Sequence, residues 1–410
     1  MTGLHLCNSR EKLVVVGAGM AATRFVEELI NRAPDRYAIL VIGDEPRLAY
    51  NRVLLSAVLA GDLSVDDIEL KPRQWWRAPG VSALSGCKAV RIDAAARRVV
   101  LDNGSSVDYS KVVLATGSHA VRLPIEGANL PGVHTFRDVH DVEALSRLEG
   151  SGARTIVIGG GLLGLEAAYG LARRGVDVTL VHVMDRLMER QLDAAGAEIL
   201  RRRVEEKGVR VLLKANTARI TGSGRVEGIE FADGRTMPAD AVIFAVGIRP
   251  NADLARQTGL DVGRGVIVND GLETSEAGVF AIGECAEHRG VCYGLVEPAY
   301  EQGRVLAMRL AGEDASYRGS VVSTNLKVSG VRVFSAGDYL GDETTRRIVC
   351  KDPRMGICRK LVVRDDRLVG AILIGDTSGA ADFLDLIRSG ADISSMRDEL
   401  MFGAPLQKAA

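Results

Sequence analysis

The sequence predicts an α/β protein in which one strand–turn–helix unit is built twice. Three observations carry that expectation. A glycine-rich turn between an apolar run and an amphipathic stretch occurs at Lys12, in KLVVVGAGMAATRFVEELINR, and again at Arg154, in RTIVIGGGLLGLEAAYGLARRG. Each turn is followed by the same series of segments. And a chain of 410 residues is too long for one ordinary core, so two or three domains are expected.

In the first copy KLVVV reads as a buried parallel strand, GAGMAA as the turn, and Ala21 to Ile30 as helix by periodicity. YAILVI is the second strand. A meander follows in RRVVLDNGSSVDYSKVVLATGS, where Asn103-Gly104 signals a hairpin turn. KVVL then closes the unit and ends in Ala115, Thr116 and Gly117. The second copy runs in the same order: RTIVIG, a turn and helix start in GGLLGLEAA, the strand VDVTLVHV, a helix in LDAAGAEILRRRVEEKG, and the strand VRVLL. Its meander turns at Asp233-Gly234, and AVIFAVG closes it at Gly247. One glycine motif is weak evidence. Two, each with a matching meander and closing strand, predict two Rossmann-like dinucleotide-binding folds rather than one such fold and an incidental turn.

The turn residues suit that chemistry. Gly17 allows a tight turn, Gly19 lets backbone approach a pyrophosphate, and Ala22 holds the third position, where helix and strand pack closely. The helix N-terminus beyond offers unpaired N–H groups to phosphates. Asp44 and Glu45 stand past the second strand, and one of them is expected to bind ribose hydroxyls, the alternative being two solvated loop acids. In the second copy Gly159, Gly161 and Gly164 fill all three positions, and Glu166 is placed on the first turn of the helix, where the helix dipole favours an acid whatever its function. NADH and NADPH are usually told apart at the end of VTLVHVMDR. His182 stands there with Asp185 and Arg186 nearby, and the absence of a basic cluster favours NADH while leaving NADPH possible.

Composition excludes several classes. Net charge is −1, from 52 basic and 53 acidic residues, and aromatic residues make up 4%, so no nucleic-acid surface is expected. No apolar run reaches the ~18 residues of a membrane helix. MTGLHLCNSREK lacks a basic segment followed by an apolar core, which predicts no secretory signal. Six cysteines without a C-x-x-C pair predict a reduced, cytoplasmic protein. Cys7 and Cys87 lie outside the motifs, Cys285 and Cys292 flank AEHRGV, and Cys350 and Cys358 flank KDPRMGI. That spacing fits no common metal motif, so incidental or buried thiols are expected and no metal site is assigned.

These motifs resemble the FAD- and NAD(P)H-dependent pyridine-nucleotide oxidoreductases from Lys12 to about Leu310. The resemblance implies that the first cradle holds FAD and the second NAD(P)H, with the NAD domain inserted in a discontinuous FAD domain. Boundaries follow: 1–120 for the first part of the FAD domain, 121–247 for the NAD(P)H domain, 248–319 for the second part, and 320–410 for a small α+β C-terminal domain. TSEAGVFAIGECAEH resembles the family's second flavin fingerprint, with Thr274 and with Gly283-Glu284 where Gly-Asp is usual. YGLVEPAYEQGRVLA, containing Pro298, resembles the helix whose N-terminal end points at the flavin ring. Glu166 resembles the acid that contacts the nicotinamide region. Arg52 resembles the arginine near the flavin in R-x-x-L-S, the competing reading being a surface ion pair. The lysine that ferredoxin reductases often place after that serine is absent, since Ala57 follows Ser56. In KLVVRDDRLVGAILIGDTSGAADFLDLI two strands joined by an Asp-Asp turn precede a helix capped near Thr377 or Ser378.

More specific strings, AYNRVLLSAVLAG, VHVMDRLMERQLD and GECAEHRGVCYGLVEPAYEQG, are similar to the flavoprotein module of assimilatory NAD(P)H nitrite reductase large subunits and of nitrate reductase electron-transfer subunits. Those large subunits continue into an iron–sulfur and sirohaem region. These 410 residues hold no such clusters, so the expectation is that they do not reduce nitrite alone. Relatives with a thiol relay carry cysteines after the first helix or near the flavin, and LAYNRVLLSAVLAG has none. The expected activity is hydride transfer from NADH to FAD, with electrons passed to a separate nitrate or nitrite reductase partner. A ferredoxin or rubredoxin reductase is the nearest alternative, then an NADH oxidase, then a redox-sensing flavoprotein.

Overall fold

The computed structural model describes residues 10–328, 330–352, 354–396 and 400. Cys7 and most of the N-terminal stretch read above lie outside the described residues. By packing, the chain forms two units. The first comprises the residues up to Leu54, Ser64–His119 and Ile248–Ser320, and the second comprises Leu55–Leu63, Ala120–Gly247 and the residues from Val321 on. The C-terminal region and the short Leu55–Leu63 segment thus go with the cradle at Arg154.

The first unit is built on a parallel five-stranded sheet in the order Val279–Ala281, Lys111–Leu114, Glu11–Val16, Tyr37–Ile42, Val81–Leu84. The central strand is a continuous apolar run because both its faces are covered, and Leu13, Val14 and Val15 are buried. The helix Met20–Arg32 buries Ala22, Phe25, Val26 and Leu29, one face at helical spacing. The helix Val296–Ala311 packs against it. Gly303 permits the close approach, since a Cβ there would lie 3.2 Å from the Phe25 backbone nitrogen. The meander is antiparallel, Ala89–Asp93, Arg98–Leu101 and Ser106–Asp108.

The second unit repeats this plan with the parallel order Arg210–Leu212, Asp177–Val181, Arg154–Ile158, Ala241–Phe244, Val133–Thr135. Its meander is Thr217–Thr221, Gly228–Phe231 and Thr236–Pro238. The repeat extends to the hairpin turns. Gly104 N–H bonds Leu101 O at 3.0 Å and Gly234 N–H bonds Phe231 O at 2.9 Å. Both glycines are left-handed, at φ 81° and 84°.

The C-terminal region forms a five-stranded antiparallel sheet, ordered Ser323–Val328, Val331–Gly337, Arg367–Ile374, Ile357–Arg364, Arg346–Asp352. The helix Ala380–Ser389 lays Ala380, Phe383 and Leu386 on it. Asp365 and Asp366 make the expected two-residue turn at φ 47° and 53°. The expected cap at Thr377 or Ser378 is corrected. Gly379, left-handed at φ 81°, is the N-cap and no side chain caps the helix, while the Ser378 hydroxyl accepts from Arg359 Nη2 at 3.1 Å. Within the same unit Lys360 Nζ bonds Asp193 Oδ2 at 3.1 Å, and Asp193 also caps the helix Ala194–Glu205 by accepting from Gly196 N at 2.9 Å. Among the described residues no helix is long and apolar enough to cross a membrane.

Candidate functional site

The two glycine cradles have the same geometry. Gly17 is left-handed at φ 111°, and a Cβ there would lie 2.1 Å from Ala115 O; Gly159 is left-handed at φ 124°, and its Cβ would lie 2.2 Å from Ala245 O. Each is tied to the neighbouring strand by its N–H, Gly17 to Ile42 O at 2.7 Å and Gly159 to Val181 O at 2.8 Å. No other residue type fits either place. The second glycines behave oppositely. A Cβ at Gly19 or at Gly161 would meet nothing within 4 Å. Both are extended N-caps, both helices start without a side-chain cap, and neither has an acid in its first turn. The first N–H groups of each helix therefore have no side-chain cap among the described residues. At the third position a Cβ on Gly164 would lie 1.9 Å from Gly159 O, and Ala22 is fully buried. The residues therefore fit a pyrophosphate at each cradle: a tight turn, an empty approach, and an unsatisfied helix end.

Around the first cradle, Asp44 is exposed and Glu45 is engaged. Glu45 accepts from Tyr50 OH at 2.7 Å and pairs with Arg52, whose guanidinium stands 5.0 Å from the Tyr50 ring centre. The stretch Leu48–Gly61 does not act as one piece. Arg52 belongs to the first unit, whereas Leu59 packs in the second, where Arg174 Nε donates to its carbonyl and Gly170 faces its side chain. The loop after Lys111–Leu114 is held by Asn251: Thr116 Oγ1 donates to Asn251 O at 2.7 Å, and Asn251 Nδ2 donates to Thr116 O at 2.8 Å. Gly117, at φ 65°, has open space beside it. Thr274 is buried and caps its own turn by donating to Val279 O at 2.9 Å.

Gly283 is left-handed at φ 80°, and its N–H donates to Gln302 Oε1 at 2.7 Å. Glu284 accepts from Ser118 Oγ at 2.6 Å. Pro298 is buried in the first turn of the helix that carries Gln302. Cys285, adjacent to Glu284, is buried against Leu114 O and Ile282 O, and burial pushes its thiol pKa up. Burial likewise raises Cys292 and Cys358. These thiols are held away from the reactive thiolate form. Asn251 and Gln302 escaped the sequence reading because each acts on a loop far from it in the chain.

Around the second cradle, Glu166 is the fifth residue of the helix Leu162–Arg173, not part of its first turn. The helix end therefore does little for it. Its side chain is buried, with no hydrogen-bond partner among the described residues, and burial alone pushes its pKa from 4.5 up to about 8. Gly247 is left-handed at φ 114°, with open space beside it. His182 is buried at 7% exposure. Its Nδ1 accepts from Gly160 N–H at 3.0 Å, so Nε2 carries the proton and faces Glu189 Oε2 at 3.1 Å. Asp185 pairs with Arg186 at 2.9 Å.

Residues 11–303 match the family model described as pyridine nucleotide-disulphide oxidoreductase. The chain belongs to that family. Residues 323–391 match a second model, the rubredoxin NAD+ reductase C-terminal domain. A nitrite reductase [NAD(P)H] of Bacillus subtilis (strain 168) is 44% identical over 94% of this chain and 48% of its own length. The assimilatory nitrate reductase electron transfer subunit of the same organism is 40% identical over 96% of this chain and 51% of its own. The chain thus spans about half the length of these curated relatives. A solved ferredoxin reductase from Rhodopseudomonas palustris is 25% identical, with a TM-score of 0.85 over 96% of this chain and 100% of that one. The first match spans both cradles, and the second spans the C-terminal antiparallel sheet and its helix.

Proposed function

We propose that the chain is an NADH-dependent FAD oxidoreductase that passes electrons to a separate redox protein, a nitrate or nitrite reductase. The observation that carries this reading is the pair of matched cradles, each an open glycine approach ending on an uncapped helix. FAD, when bound, supplies acceptance of a hydride from NADH and release of electrons to an acceptor. The residues that would hold FAD are Gly17, Gly19 and Ala22 at the pyrophosphate, Asp44 or Glu45 at the ribose, Ala115, Thr116 and Gly117 in the loop held by Asn251, and Gly283, Glu284 and Pro298 at the second fingerprint. Arg52, anchored on Glu45, would fix the segment beside the flavin. Gly159, Gly161, Gly164 and Gly247 would hold the nicotinamide nucleotide.

Glu166 has a specific task in this reading. A carboxyl held protonated near neutral pH can donate as well as accept, which matches a carboxamide, whereas a carboxylate could only accept. It would orient the nicotinamide, not exchange a proton with it. Thiol chemistry has no support from the buried, raised Cys285. Residence in a reducing cytoplasm belongs to the same proposal, supported by five described cysteines that are all free. A second reading, reduction of a ferredoxin or rubredoxin, is favoured by the match of residues 323–391. Anaerobic reduction of the FAD-loaded chain by NADH, followed by reoxidation with nitrate reductase, ferredoxin, rubredoxin and oxygen in separate trials, tests both. Fast reoxidation by a nitrate or nitrite reductase is expected. Fast reoxidation by ferredoxin or rubredoxin alone selects the second reading, and failure of NADH to bleach the flavin removes both.

A further inference from the structure

The end of the strand Asp177–Val181 carries the residue expected to read the nucleotide ribose, yet His182 has both ring nitrogens committed. Nδ1 takes the Gly160 amide and Nε2–H is spent on Glu189. Val183 and Met184, the next two residues, are apolar and exposed at 56% and 43%, and offer a ribose no side-chain hydrogen bond. The polar group joined to the His182 ring is the Glu189 carboxylate, whose side chain remains 23% exposed.

Its position is specified by the backbone as well. Met188 N–H donates to Gly160 O at 2.9 Å, so the loop is fastened to the same cradle residue that binds the imidazole. Leu187 and Met188 are fully buried, and Met188 is held left-handed at φ 49°, a conformation a methionine rarely adopts without surrounding constraint. Of the two basic side chains of the loop, Arg186 is already paired with Asp185, and Arg190, next to Glu189, is exposed. We infer that Glu189, aimed and fixed by His182, is the carboxylate that selects a ribose 2′-hydroxyl over a 2′-phosphate. This rests on the reading of the second cradle as the nicotinamide-nucleotide site. A carboxylate accepts hydrogen bonds from ribose hydroxyls, whereas a phosphate brings two negative charges against it.

Glu189→Gln keeps an oxygen to accept from His182 and removes the charge, exchanging the other oxygen for an amide NH2. The experiment is calorimetric titration of the FAD-loaded chain with NAD+ and with NADP+, for the wild type, E189Q and D185N. The wild type is expected to bind NAD+ more tightly. E189Q should narrow the ratio by about tenfold or more, equivalent to ~1.4 kcal/mol, and D185N should leave it within about twofold. Three results overturn the inference while nucleotide binding itself stands: an unchanged ratio in E189Q, an equal narrowing in D185N, or a wild type that favours NADP+. If the wild type binds neither nucleotide while FAD stays bound, the reading of the second cradle fails, and the inference with it.

Discussion

Replacing Glu166 by Gln should stabilise the second unit, and increasingly so as the pH rises. The carboxyl has its ordinary pKa of 4.5 in the unfolded chain and about 8 in the fold, because burial penalises the charged form and nothing compensates it. Below the unfolded pKa both states are protonated and no cost arises. Between the two values the unfolded chain releases a proton that the fold retains, so stability falls with pH, by about 1.4 kcal/mol for each pH unit. The cost reaches ~3 kcal/mol near pH 7 and levels at ~5 kcal/mol above the folded pKa. Glutamine has similar size and never ionises, so it behaves as the protonated form throughout. Trp75 and Trp76 both lie in the first unit, so tryptophan fluorescence would follow the wrong one. Amide hydrogen exchange of peptides from Leu162–Arg173, comparing variant with wild type at one pH at a time, reads the right element. Protection should be nearly equal at about pH 4.5 and greater in the variant at about pH 8.5. Equal protection at the higher pH, or a variant less protected there, would show that Glu166 ionises without penalty and would remove the donor role assigned to it.

The cradles give a contrasting pair: Gly19→Leu should fold but lose FAD and its yellow colour, because the side chain enters open space that the cofactor needs, and Gly161→Leu should keep FAD but resist bleaching by NADH. Gly17→Ala, by contrast, should cost the fold itself more than ~1 kcal/mol in a melting experiment, given the left-handed backbone and a Cβ 2.1 Å from Ala115 O. NADH-driven reduction of a one-electron dye should survive replacement of all six cysteines by serine, measured at equal FAD content; loss of the dye reaction with FAD still bound would restore a thiol relay.

Much of the fold was legible because its rules are local. A buried parallel strand needs a continuous apolar run, and a turn forced left-handed against a carbonyl needs glycine, so the two cradles and both meanders announce themselves in letters. Less of the site was legible, because what a side chain does there depends on partners distant in the chain. Leu55–Leu63 begins three residues after Arg52, yet Arg174 and Gly170 draw it into the second unit. The Ser378 hydroxyl stands where a helix cap is expected, but Arg359, 19 residues earlier, uses it. His182 stands at the strand end as read, but its ring is oriented by the Gly160 amide, a contact no periodicity reveals.

The two cradles differ where strand meets turn. Ala18 faces Gly43 in the first copy, and a Cβ on Gly43 would lie 2.7 Å from the Ala18 methyl. Gly160 faces His182 in the second, and a Cβ on Gly160 would lie 2.6 Å from the imidazole Cγ. In each pair one member has to be glycine. The choice of which one decides whether the strand end is bare, as at Gly43, or carries a side chain able to aim a carboxylate, as at His182. The Gly160→Ala variant tests this. Its φ is ordinary, so the added methyl acts by crowding rather than by backbone strain, and the ring must move. Displacing the ring breaks its bond to the Gly160 amide and releases Glu189. G160A should therefore lower the preference for NAD+ over NADP+ in the same direction as E189Q, while the FAD content of the first unit is unchanged. In the double variant with E189Q the preference should fall no further than in E189Q alone, because the two act through one group. A G160A chain that binds NAD+ with undiminished preference would mean that the imidazole does not position Glu189, and additive losses in the double variant would mean that the two residues act separately.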